Sequence, residues 1–366
     1  MRKAGWLTLL SAFVLALACG DGGNGEDGGG GGGGSNQQLR CMPSEAIVVA
    51  PEFETGGLIH RVMLDDEYVF VGGFSEIFAA PRSGGPATRV YSSEKEGRIE
   101  FFPAYWPYDG KLLVGVDDEI RVYPRLGGEV EETISLPFPF STNLDGRADA
   151  FIDRDGKTLF AKNDPLVPDG MTPSVTYFSF DLETRNSRTI LGNSDIGSRS
   201  TLVKGDDYLY TSHVPDKDVG SISAGELYRI PVAGGAPEKL PLELEMAQLN
   251  VIGADEAHLY LFGMELPLDA GERPAGLYRL PIEGGTPEKL VVTHAVERNM
   301  LVFQDRGDHH VVWASEAAYR IEKGSGEVKT IVRSNCIRGM AADEGAVFLA
   351  LEPEEGRATI VRVSYE

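Results

Sequence analysis

Short runs in which apolar and polar side chains alternate recur from Ala46 to the C-terminus, broken by glycine, proline or aspartate. Successive side chains of a strand point to opposite faces, so a period of two predicts β-strands. In the run Leu227 to Pro231, one face carries Leu227, Arg229 and Pro231 and the other Tyr228 and Ile230. No long stretch carries the spacing of an amphipathic helix. The expected body is all-β.

The strands repeat. LYRIPVAGGAPEKL at Leu227–Leu240 matches LYRLPIEGGTPEKL at Leu277–Leu290 in ten of fourteen positions, at an offset of 50. Weaker copies are IFAAPRSGGPATRV from Ile77, IRVYPRLGGEVEETI from Ile120, YFSFDLETRNSRTIL from Tyr177, YRIEKGSGEVKTI from Tyr319 and ATIVRV from Ala358. Each reads as a strand, a tight turn and a more polar strand, with Gly-Gly (Thr-Arg-Asn in the third copy) where turn positions need φ > 0. Upstream of each copy lies a turn followed by an apolar, often aromatic strand. Examples are DDEYVFVGG from Asp65, GDDYLYTSH from Gly205 and GDHHVVWAS from Gly307, and there are seven in all. A further short apolar run precedes each of these, as at Leu249–Ile252 and Leu301–Phe303.

Four strands per unit, seven units and no intervening helices predict a seven-bladed β-propeller of four-stranded antiparallel blades, with six or eight blades as the alternative count. The pattern DGKxL, strand, L/I-Y-x-x-x, GG, polar strand resembles the WD40-like repeats of TolB-type propellers and of YWTD-like propeller lipoproteins. That resemblance spans about residues 45 to 366 and implies a fold, since the repeated residues are structural. Blade seven has only three strands before Glu366, so Ala46–Val49 is expected to supply the fourth and close the ring. Cys41 and Cys336 flank that seam, and a disulfide between them is expected. It would close a loop of nearly 300 residues, an effect of roughly 5 kcal/mol on the unfolded chain.

The N-terminus adds an address. Arg2 and Lys3 precede an apolar run, Trp6–Leu17, too short to span a membrane. Leu15-Ala16-Leu17-Ala18-Cys19 resembles the lipobox of bacterial lipoproteins, which implies cleavage after residue 18 and acylation of Cys19. Gly20 follows the cysteine, and the aspartate associated with inner-membrane retention is absent there; the resemblance thus implies the outer membrane. Residues 19–40 read as the lipidated cysteine and a glycine-rich tether with almost no apolar side chains. Residues 41–366 form the propeller domain. Loss of Arg2 and Lys3 with the signal takes the formal charge from −22 to −24. So acidic a chain excludes nucleic acid and leaves the lipid as its only membrane contact. A monomer is expected, and two thiols in an oxidising compartment fit one disulfide.

Chemistry is sparse. G-x-S-x-G, H-E-x-x-H, C-x-x-C and the P-loop are all absent. His309 and His310 alternate along a strand, which separates them, and they read as surface or hairpin residues. Asp145, Asp149, Asp153 and Asp155 form an acidic cluster that calcium would suit, although their spacing fits no EF-hand loop; no cofactor or metal is otherwise expected. Trp106 and Trp313 are expected between blades. Inner strands offer His60, Tyr105, Asn250, Asn299 and Arg338 as scattered polar candidates.

One asymmetry remains. In blades three, four and five the second and third strands are joined by long segments, Asn163–Pro173, Val214–Ala224 and Glu265–Pro274. Such loops over a rigid scaffold are where binding residues concentrate. They carry Asp164, Asp169, Asp216, Asp218, Glu265, Asp269 and Glu272 against Lys217 and Arg273, a balance that favours a cationic partner or ion. The expected function is a non-catalytic binding or scaffold propeller for an unknown protein or small molecule; the alternative is a lactonase- or lyase-like propeller enzyme with a central polar site.

Overall fold

Glycine pairs set the outer hairpins of the blades. Gly84 and Gly85, Gly127 and Gly128, Gly234 and Gly235, and Gly284 and Gly285 all adopt positive φ, and Arg185 takes the same region at +63° in the third copy. The computed structural model describes residues 41–93, 104–136, 150–153, 156–163, 175–196, 201–214, 224–266, 274–294, 301–314 and 316–365. Within them each repeat folds into one four-stranded antiparallel sheet, and seven such sheets form a seven-bladed β-propeller.

The inner strands, one per blade, are Arg61–Leu64, Ala104–Tyr108, Ala150–Ile152, Leu202–Lys204, Met246–Ala254, Leu301–Arg306 and Ile337–Ala342. Second strands are the most buried, because blades cover them on both sides. Val69, Phe70 and Val71 are sealed in blade one, as are Leu259, Tyr260 and Leu261 in blade five. Clusters bridge neighbouring blades: Trp106 packs with Leu159 and Phe178 of blade three, and Trp313 with Met340 and Leu349 of blade seven. The indoles therefore sit between blades, as expected from their size.

The ring closes through the chain's beginning. Ile47–Glu54 pairs antiparallel with Arg357–Ser364 and forms the outermost strand of blade seven. It runs further than Ala46–Val49 and carries two irregularities, between Val48 and Ala50 and between Ala50 and Phe53. Cys41 and Cys336 stand at disulfide distance, with Cα atoms 5.6 Å apart, and Ser334 Oγ donates to the Cys41 carbonyl at 2.9 Å. Across the same seam Arg82 of blade one is ion-paired with Asp343 of blade seven.

Alternating strand direction divides the disc into two faces. Hairpins between inner and second strands lie on one, and the connections between second and third strands lie on the other, with the crossings from blade to blade. We call these the hairpin face and the loop face.

Candidate functional site

The hairpin face is stitched together by its own charges. Asp65, Asp255 and Asp343 each turn an inner hairpin by accepting the backbone amides two and three residues on, at 2.7–2.9 Å. Arg125 of blade two reaches back to Asp65, Asp66 and Glu67 of blade one at 3.2–3.3 Å. Arg229 bridges Glu238 of its own blade to Glu283 of blade five.

Between blades five and six this face covers a buried network. His310 is fully buried; its Nε2 lies 2.9 Å from Asp255 Oδ2 and its Nδ1 3.4 Å from Asp305 Oδ1. The Tyr260 hydroxyl donates to Asp255 Oδ2 at 2.9 Å, and its ring meets the imidazole edge-on at 4.7 Å. Burial pushes the Asp255 pKa up. The hydrogen bonds from His310, from the Ala257 and His258 amides and from Tyr260 outweigh it and hold the carboxyl well below its ordinary value. His309 is buried as well, 2.6 Å from Asp308 and edge-on to Tyr365. The expectation of surface histidines is therefore corrected. Both lie on a second strand, and a second strand in a propeller has a neighbouring blade against each face.

The loop face carries the asymmetry in connection length. The strand ends that bracket the long connections, Asn163 and Val175, His213 and Glu226, Glu265 and Pro274, all lie on it. Asp164, Asp169, Asp216, Asp218, Asp269 and Glu272 lie outside the described residues. Glu265 is held in place: Lys289 pairs with it and the Tyr278 hydroxyl donates to it at 2.9 Å. Blade four repeats the arrangement, with Glu226 taking Lys239 at 2.6 Å and Tyr228 at 2.7 Å. The lysine contacts, followed by the tyrosine ones, lower both glutamate pKa values against burial, while burial and Glu226 push Tyr228 up to about 12. Beside this triad a groove of about 650 Å³ runs between blade four and the crossing to blade five, lined by Gly225, Lys239, Leu240, Pro241, Leu242 and Leu244.

A cavity of about 360 Å³ lies on the axis, bounded by the inner strands. His60 and Arg61 line it at the loop-face end, Gln304 and Arg306 at the hairpin-face end. Other inner-strand candidates are occupied by structure. Tyr105 is fully buried, its hydroxyl donating to the Arg61 carbonyl at 2.8 Å, with the Phe70 carbonyl 3.3 Å away. Asn250 is buried and donates to the Gln248 carbonyl at 2.7 Å. Arg338 pairs with buried Glu352 at 3.4 Å. Asn299 lies outside the described residues. Of the four aspartates considered for calcium, Asp153 alone is described, and it pairs with Lys204 at 3.0 Å. Among the described residues no group of three histidine, cysteine, aspartate or glutamate side chains is placed to hold a metal. Sequence reasoning passed over Arg61, because a single arginine in a short inner strand breaks no pattern.

No protein-family model and no curated protein sequence matches the chain. Solved structures do resemble it. Oligogalacturonate lyase from Vibrio parahaemolyticus aligns with a TM-score of 0.55 at 11% identity, over 89% of this chain and 93% of that chain. An oligogalacturonate lyase in complex with manganese gives 0.53 at 14% identity, over 82% and 86% respectively. The extracellular domain of a hybrid two-component system from B. thetaiotaomicron gives 0.54 at 14% identity, over 88% of this chain and 40% of that chain. At such identities the likeness is one of fold, and what this chain shares with these proteins is the β-propeller.

Proposed function

We propose that the protein is a lipid-anchored envelope protein of the outer membrane that acts as a non-catalytic binding or scaffold propeller and engages its partner through the loop face. The observation that carries this reading is the groove between blade four and the crossing to blade five, with half-buried Leu242 and Leu244 in its wall. On the hairpin face Asp65, Asp255 and Asp343 are committed to turns, and Glu67 and Glu283 to ion pairs between blades. The acidic balance of the long connections favours a cationic protein. Replacing residues 164–173, 215–223 and 267–273 with glycine-containing hairpins tests the reading. Capture of envelope proteins should be abolished while the thermal transition stays within a few degrees. Capture that survives, and is lost instead on His60→Ala, moves the site to the axis.

A second reading, a lactonase- or lyase-like enzyme, is favoured by one observation: His60 and Arg61 together reach the axial cavity. Its test is elemental analysis of purified protein, where a stoichiometric divalent ion would support it.

A further inference from the structure

Two arginines line the axial cavity: Arg306 donates to the Gln304 side chain and the Ala342 carbonyl, whereas no hydrogen bond holds the Arg61 guanidinium among the described residues. Arg82, Arg125, Arg229 and Arg279 each pair with at least one carboxylate. In a protein with a formal charge of −22, carboxylates are abundant. Yet none of the described residues gives the Arg61 guanidinium a carboxylate or hydrogen-bonding partner. Its neighbours are aromatic faces, with the Tyr105 and Trp106 ring centroids each 5.8 Å from Cζ. The side chain is half-buried and lines the axial cavity. Leaving a desolvated cation without an anion is costly, and burial lowers its pKa accordingly. The ring contacts fix the guanidinium without using its N–H groups, which suit a planar anion such as a carboxylate.

The remainder of the cavity differs in character. Val62, Leu202, Val251, Val302 and Phe303, from four different blades, form its apolar wall, and Gln304 and Arg306 stand at the hairpin-face end. A sugar would leave hydroxyl groups unpaired against that apolar stretch. An alkyl or aromatic body would not, and a cavity of about 360 Å³ sits within the size range of small-molecule sites. We infer that the axial cavity binds one small amphipathic carboxylate, with its headgroup on Arg61 and its apolar body along the inner strands. This site lies on the axis, apart from the loop-face groove, and would exist whether or not that groove takes a partner.

Octanoate and its neutral counterpart octanamide test the inference by calorimetric titration of the purified protein. Octanoate should bind saturably with a stoichiometry of one and at least tenfold more tightly than octanamide. Arg61→Gln should erase that tenfold preference while leaving the thermal transition near that of wild type. Absence of saturable octanoate binding to wild type at millimolar concentration would overturn the inference. Equal binding of the two ligands to wild type would do the same, as would a preference that persists in Arg61→Gln. The wild-type comparison of the two ligands stands even where the variant folds poorly.

Discussion

His310 Nε2 lies 2.9 Å from Asp255 Oδ2, which joins the second strand of blade six to the inner hairpin of blade five. Both side chains are withdrawn from solvent, at 0% and 8% exposure, so removing one strands the other. His310→Phe should cost about 3 kcal/mol in urea unfolding, the scale for breaking a buried pair. A cost near zero would mean that the network is open to water in solution.

The same pair sets an acid response. The Asp255 carboxyl is held below its ordinary value of 3.8, so its ionised form is favoured by folding. That contribution is fully present above the unfolded value and is lost as pH falls through the folded one. Stability measured between pH 6 and about 3 should therefore fall less in Asp255→Asn than in wild type, and parallel curves would contradict the assignment.

At the seam, the Cα separation of 5.6 Å between Cys41 and Cys336 is suited to a disulfide. Non-reducing peptide mapping of exported protein should recover the linked pair. The double serine variant should lose up to roughly 5 kcal/mol by the loop-entropy argument. Two free thiols in exported protein would refute the pairing.

Anchoring has a separate test. Cys19→Ser should move the protein from the membrane pellet to the soluble fraction and remove the acyl groups from its N-terminus. Retention of the variant in the membrane, with no lipid on the native N-terminus, would refute acylation.

Much of the fold was legible because the repeats state it. Gly234-Gly235 and Gly284-Gly285 occupy positions that need positive φ, so their recurrence marked the turns and thereby the strands. Closure by the segment after Cys41 followed from a blade one strand short. The polar interior was not legible. His309 and His310 do flank a hairpin but looked like surface residues, since alternation along a strand assigns two faces but cannot say that both are covered. Tyr105 looked like an inner-strand donor, yet its hydroxyl is taken by the Arg61 carbonyl. Arg61 itself stands out only once the inner strands are assembled and no described carboxylate pairs with it, Asp305 being taken by Lys323 and His310.

The claim that recognition belongs to the loop face is tested most directly by photo-crosslinking in intact cells. A crosslinking amino acid is placed at exposed Glu245, in the loop-face groove, or at exposed Glu67 and Glu344 on the hairpin face. A discrete, partner-sized adduct should form from Glu245 and from neither of the others. Adducts from Glu67 or Glu344 with none from Glu245 would place recognition on the opposite face and contradict the account.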